Sequence, residues 1–306
     1  KRKGGCQSLR VKERMKNLEQ PMIIDGHTHI FPDKVRKDRQ AYCKKDRGFS
    51  SIYEDPRARM AGVEDLIASM DEHGIERSVI CGFPWSQPDL CSFHNRYLME
   101  SASRFSKRLI VFISVLFSDP IWSERELEEG MRQGVKGVGE MAFYGREMTS
   151  QDIHSMKPVV AQMEKKGVPL LLHVNEMVGH SYPGKGATPI ELFYELVVSF
   201  PNLRIVLAHW GGGLPFYELM PEVAKAMANV YYDTAASPYL YSKKIYAVAR
   251  EIVGAKKILF GTDFPLLSPG RYFHELKVSG LSKEDQKRIL GLNLLNLLGL
   301  DRRTGG

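Results

Sequence analysis

An α/β protein folded as a distorted (β/α)8 TIM barrel is predicted by three observations on the sequence. Short apolar runs alternate with helical segments from Met22 onward. Eight such runs can be counted, and parallel strands joined by helical crossovers close most economically into a barrel when there are eight of them. Several runs end on a histidine or a carboxylate, which places a metal site at the C-terminal ends of the strands. An open doubly wound sheet is the alternative, disfavoured because no Gly-x-Gly-x-x-Gly turn follows the first strand. The length of 306 residues suits one barrel of about 250 residues with additions.

The first strand is the apolar run Met22-Ile23-Ile24 leading into Asp25-Gly26-His27-Thr28-His29. Side chains two apart on a strand share a side, so His27 and His29 face one point and can share a divalent cation. From Phe31 to about Arg59 the chain is polar, punctuated by Pro32, Gly48 and Pro56, and reads as a long loop in which Arg57 and Arg59 can meet an anion. Leu66, Ile67 and Met70 mark a helix that stops at His73-Gly74, before a second strand at Ser78–Cys81. A helix from about His94 to Phe105 leads to the clearest strand, Leu109–Val115. A helix over Ser123–Gln133 then precedes a strand at Val135–Glu140. Helix Gln151–Lys166, ended by Gly167, gives way to Pro169–His173; helix Pro189–Phe200 gives way to Leu203–His209. A helix beginning near Pro215, strand Val230–Asp233, helix Lys243–Val253 and strand Ile258–Asp263 complete the series. The apolar stretch Leu292–Leu300 is expected to pack a C-terminal helix against the barrel wall.

Two domains are read: residues 1–20 as a basic extension and 21–306 as the single barrel domain. Of the formal charge of +7, residues 1–20 carry +5 (seven Lys or Arg against Glu13 and Glu19), so the body carries only +2. That distribution argues against specific nucleic-acid binding. No apolar run reaches the length of a membrane span. Cys6, Cys43, Cys81 and Cys91 show neither a Cys-x-x-Cys spacing nor a disulfide-dense pattern, which points to a reducing cytoplasm. A homodimer is left open.

Glu140, His173, His209 and Asp263 all fall at C-terminal strand ends, the end of such a barrel where active sites form, together with His27 and His29. One of them alone would read as a core residue or a helix cap; six together point to a metal centre. On Asp25-Gly26-His27-Thr28-His29, Gly139-Glu140, Leu172-His173-Val174-Asn175-Glu176, Ala208-His209-Trp210-Gly211-Gly212 and Gly261-Thr262-Asp263-Phe264-Pro265, the sequence resembles the amidohydrolase superfamily over about residues 22–300. The resemblance is to its branch of metal-dependent barrel hydrolases that includes aminocarboxymuconate-semialdehyde decarboxylase. It implies a metal held by His27, His29, His173 and Asp263, with His209 binding a second ion or polarising the substrate. Glu140 lies where binuclear members place a bridging carboxylate, so one or two ions are expected, zinc first, with manganese or iron as alternatives.

The chemistry expected of that ligand set is hydrolysis. A divalent metal lowers the pKa of bound water to about 7 and polarises the bond under attack, with Asp263 as the base and His209 steadying the developing oxyanion. The main expectation is therefore a hydrolase of a small amide, lactone or ester. The alternatives are a non-oxidative decarboxylase or hydratase of a small unsaturated or aromatic carboxylate, and a non-catalytic metal or ligand binder. Asn175, His180, Tyr182 and Lys185, in the Gly/Pro-containing loop after His173, are expected to meet the small-molecule substrate, with Trp210 and Trp85 walling the pocket. Tyr144 and Arg146, just beyond Glu140, carry no firm assignment.

Overall fold

The computed structural model describes residues 21–301; the expected basic extension 1–20 lies outside the described residues. Eight parallel strands form one sheet in sequence order. They are β1 (Ile24–His29), β2 (Arg77–Cys81), β3 (Leu109–Ile113), β4 (Gly137–Met141), β5 (Leu170–Leu172), β6 (Ile205–Leu207), β7 (Val230–Asp233) and β8 (Ile258–Leu259). The ring closes through main-chain contacts just beyond β8. Gly26 N–H donates to Phe260 C=O at 2.8 Å, Asp263 N–H to His27 C=O at 2.9 Å, and His29 N–H to Phe264 C=O at 2.8 Å. Gly261 is required at this seam, because a Cβ there would sit 2.8 Å from that of His27. The barrel is thus the (β/α)8 fold expected, distorted by register shifts in the β1–β2 and β4–β5 pairings.

Outward-facing strand residues such as Ile80, Val111, Leu170 and Ile205 pack with Leu66, Leu98, Val160 and Leu196 of the surrounding helices. The opposite faces, including Ile24, Val79, Ile110, Leu171, Val206 and Leu259, cluster with Leu294, Leu295 and Leu297. The C-terminal helix Asn293–Leu298 therefore does not lie on the barrel wall as expected, but meets the lumen residues and closes the barrel at the end remote from His27 and His29. Asn293 fixes it there, its amide donating to the carbonyls of Ala255 and Ile258, each at 2.7 Å.

The segment after β1 is not the loop that its composition suggests. It forms three short helices, Asp33–Lys37, Arg39–Lys45 and Arg47–Tyr53, each too brief to show a helical period. What orders them is an aromatic cluster of Phe31, Tyr42, Phe49, Tyr53, Phe83 and Trp85, in which Phe49 stacks on Trp85 with ring centroids 4.9 Å apart. Buried His94 joins this roof to the barrel. Its Nε2 donates to Ile30 C=O at 2.8 Å, while Nδ1 accepts from Phe83 N–H at 3.3 Å and Trp85 Nε1–H at 3.2 Å.

The stretch after β6 also departs from a plain helix. His209 to Gly213 all have positive φ, at 56, 57, 55, 60 and 101°. Left-handed geometry costs a residue with a Cβ about 1–2 kcal/mol, and the Gly211-Gly212-Gly213 run confines that cost to His209 and Trp210. A Cβ on Gly212 would lie 2.4 Å from Asn175 C=O, so the glycine also lets this turn press against the loop after β5.

Candidate metal centre

Because His27, His29, Glu140, His173, His209 and Asp263 all leave strands at the same end of the barrel, the fold brings six donors together, in two groups. In the first, His27 Nε2 and His29 Nε2 are 3.0 Å apart, and Asp263 Oδ1 lies 3.7 and 3.3 Å from them. In the second, His173 Nδ1 is 3.0 Å from both Glu140 Oε1 and His209 Nε2. Glu140 reaches both groups, since its other oxygen, Oε2, is 3.5 Å from His27 Nε2 and from His29 Nε2. Ligand atoms about 2.1 Å from a shared ion lie roughly 3.0–3.4 Å from each other in tetrahedral to octahedral arrangements. Nitrogen and carboxylate donors at 3.0–3.7 Å therefore fit a divalent cation. The expected quartet of His27, His29, His173 and Asp263 is redistributed, because His173 falls with Glu140 and His209 instead.

Burial opposes charge on Glu140, Asp263 and His209, and pairing with their neighbours outweighs it. Burial would raise Glu140, yet the charges of His27 and His173 hold it well below the usual carboxylate range. Asp263, raised by burial, is brought down to about 2 by its hydrogen bond to His29 and by the neighbouring imidazoles. His209, lowered by burial, is lifted to about 9 by Glu140. Among these side chains Asp263 is the most open, 18% exposed against 3% for Glu140 and 0% for His27. His209 and Asp263 both have left-handed backbones, φ 56 and 58°. Strain of this kind, of order 1–3 kcal/mol per residue, collects at functional sites.

A cavity of about 580 Å³ stands over the donors, lined by His29, Glu140, His173, His209 and Asp263 on its floor. Tyr53, Phe83 and Tyr144 supply aromatic walls, and Arg57, Arg59, His180 and Tyr182 further lining. Arg57 is engaged by Asp55 through a 2.7 Å ion pair. Tyr144 hydroxyl lies 3.3 Å from both Glu140 Oε2 and His173 Nδ1, so it belongs to the floor as much as to the wall.

Of the residues expected to meet substrate, His180 and Tyr182 line the cavity; Asn175, Lys185 and Trp210 do not. Asn175 is buried behind the site, its Oδ1 2.9 Å from His173 Nε2 and 3.1 Å from Tyr182 hydroxyl. Lys185 Nζ donates to the carbonyls of Val178 and His180, at 2.9 and 3.0 Å, and so staples its own loop. Trp210 is turned away from the cavity by the left-handed backbone and packs against Tyr246, its indole N–H donating to Ser237. Trp85 is likewise interior, in the roof.

Asp233, absent from the sequence expectations, accepts at Oδ1 from His209 N–H at 2.8 Å and places Oδ2 2.8 Å from His27 Nδ1. An Asp that closes Val230-Tyr231-Tyr232 looks in sequence like a helix cap. Its partner lies 206 positions away, and only the barrel reveals it.

The sequence model of the amidohydrolase family matches residues 24–300. The chain is 23% identical over 342 residues to 2-amino-3-carboxymuconate-6-semialdehyde decarboxylase of Dictyostelium discoideum, covering 91% of this chain and 92% of the relative. It is 24% identical over 303 residues to gamma-resorcylate decarboxylase of Polaromonas sp. (strain JS666 / ATCC BAA-500), covering 80% and 90%. A solved structure of 5-carboxyvanillate decarboxylase from Novosphingobium aromaticivorans, complexed with manganese and 4-hydroxy-3-methoxy-5-nitrobenzoic acid, superposes with a TM-score of 0.73 at 17% identity, over 92% of this chain and 96% of that one. These relatives overturn the expectation of a hydrolase of amides, lactones or esters, since they are decarboxylases. Among the described residues no helix is long and apolar enough to cross a membrane.

Proposed function

The chain belongs to the amidohydrolase family, and from that premise we propose that it is a metal-dependent decarboxylase, a carbon–carbon lyase acting on a small aromatic or unsaturated carboxylic acid. The observation that carries this reading is the cavity itself. An aromatic-walled chamber of about 580 Å³ stands over nitrogen and carboxylate donors and holds at its rim Arg59, a guanidinium with no ion-pair or hydrogen-bond partner among the described residues. The named decarboxylase relatives support it from outside the molecule.

His27, His29 and Asp263, with one oxygen of Glu140, would hold the metal. Manganese is the first candidate, given the manganese in the related structure, and zinc or iron also suits imidazole and carboxylate donors. When bound, the metal would draw electron density from a substrate oxygen and offset its charge. Everything else falls to the chain. Arg59 recognises a carboxylate by paired hydrogen bonds. Tyr53, Phe83 and Tyr144 flank a planar ring and exclude water, while His180 and Tyr182 bound the chamber beside them. Asp263, the most open of the donors and held as a carboxylate, accepts the proton of a substrate hydroxyl next to the departing group and passes it to the ring carbon. The carbon–carbon bond then breaks, its electron pair restores the ring, and carbon dioxide leaves. The buried thiols of Cys81 and Cys91 suit a reducing cytoplasm as the site of action.

The test is to load the protein with manganese and supply hydroxybenzoates, including 2,6-dihydroxybenzoate and 5-carboxyvanillate, in deuterated, ¹⁸O-enriched water. Carbon dioxide should be released, with deuterium at the vacated carbon and no ¹⁸O in the organic product. Solvent oxygen in that product, with no carbon dioxide released, would overturn the reading.

A further inference from the structure

We propose that Asp233 is the positioning residue that makes the two donor groups one site, by fixing the tautomer of His27 with one oxygen and the turn carrying His209 with the other. This rests on the reading of His27 as a metal ligand. An ionised carboxylate only accepts hydrogen bonds, so Oδ2 at 2.8 Å from His27 Nδ1 requires the proton on Nδ1. The lone pair of the neutral ring is then committed to Nε2, the atom 3.0 Å from His29 Nε2 and 3.5 Å from Glu140 Oε2. Carboxylates that hold a ligand's other ring nitrogen fix both its tautomer and its orientation.

The second oxygen has a different task. Asp233 Oδ1 accepts from the main-chain N–H groups of His209 at 2.8 Å and Ala235 at 3.0 Å. His209 is the first of five consecutive residues with positive φ, and an N–H anchored to a fully buried carboxylate resists relaxation of that turn. One side chain thus ties β7 to donors delivered by β1 and β6, on opposite sides of the split between the groups. With both oxygens taken by donors, Asn cannot substitute. Whichever way its amide is turned, the NH2 faces either His27 Nδ1–H or the two main-chain N–H groups.

The experiment compares wild type with Asp233→Asn. By competition against a chelator, Asp233→Asn should bind zinc about 10- to 100-fold more weakly, while the melting temperature of the metal-free proteins differs by a few degrees only. In ¹⁵N-labelled, zinc-loaded wild type, the His27 ring, assigned by its absence in His27→Gln, should show a slowly exchanging proton on Nδ1 and none on Nε2. Wild-type zinc affinity in folded Asp233→Asn, or a His27 ring protonated on Nε2, would overturn the proposal; the ring signal decides even if the variant fails to fold. If wild type binds no zinc or manganese, the metal reading fails on its own, and the Nδ1 proton of His27 still tests Asp233.

Discussion

The two ends of this barrel are made by the same eight strands and obey opposite rules. At one end the lumen is filled by Ile24, Val79, Ile110, Leu171, Val206 and Leu259 and stoppered by Leu294, Leu295 and Leu297. At the other, a few residues further along the same strands, six imidazole and carboxylate groups crowd together, two of them, His209 and Asp263, on left-handed backbones. The first end gains stability from every buried methylene; the second gives up stability in desolvated charge and backbone strain to hold chemistry in place. Stability and activity should therefore separate by position along a strand.

The largest effect that would sharpen this contrast is at Asp263. Asp263→Asn keeps size and one oxygen but removes the proton carrier, so turnover should fall about 10²- to 10⁴-fold in manganese-loaded protein, with little change in melting temperature. Near-normal turnover would remove Asp263 from the chemistry. At the other end, Leu294→Ala should lower unfolding free energy by about 2–5 kcal/mol, measured in urea, and leave kcat per folded molecule alone. A loss of kcat at low temperature, where the variant is folded, would break the division of labour.

Acid separates the roof from the floor. Burial holds His94 at about 4 against an ordinary 6.5, so the unfolded chain takes up this proton first. The stability it contributes is complete above pH 6.5 and lost as pH falls through 4, roughly 3 kcal/mol in all. Tryptophan fluorescence should report an acid transition of the Trp85 environment, shallower in His94→Asn; a transition of unchanged steepness in that variant would place its cause elsewhere. The smallest effect is expected at Lys185, whose contacts lie within its own loop. Lys185→Ala should change KM by less than about tenfold, in line with the ~1 kcal/mol worth of such a hydrogen bond. A drop in kcat as deep as that of Asp263→Asn would mean that the loop carries a step of the reaction.

The eight strands were legible because each is a short apolar run bounded by helical or turn chemistry, and the six donors because a polar residue closing such a run has few reasons to be there. What stayed hidden depends on contacts through space. Asp233 passes for a cap until His27 is set beside it. Asp33–Lys37, at five residues, spans little more than one helical turn, too short for an apolar period to repeat. Trp210 reads as a pocket wall unless the sign of φ through the following glycines is known. The reaction class is hidden for a related reason: the donor set of imidazoles and carboxylates is common to hydrolysis and decarboxylation, so it does not by itself choose between them.

The stopper of the lumen also sets the order in which the molecule can be completed. Leu294 packs where a Cβ on Gly26 would meet it, 3.3 Å away, so an early strand waits for a helix that leaves the ribosome some 270 residues later. Until that helix emerges, the nascent lumen has no floor, and the closing contacts span nearly the whole described chain. Contacts of such separation are slow to form. The barrel is therefore expected to finish folding only once Asn293–Leu298 is available to dock, which makes that helix a commitment step for the growing chain.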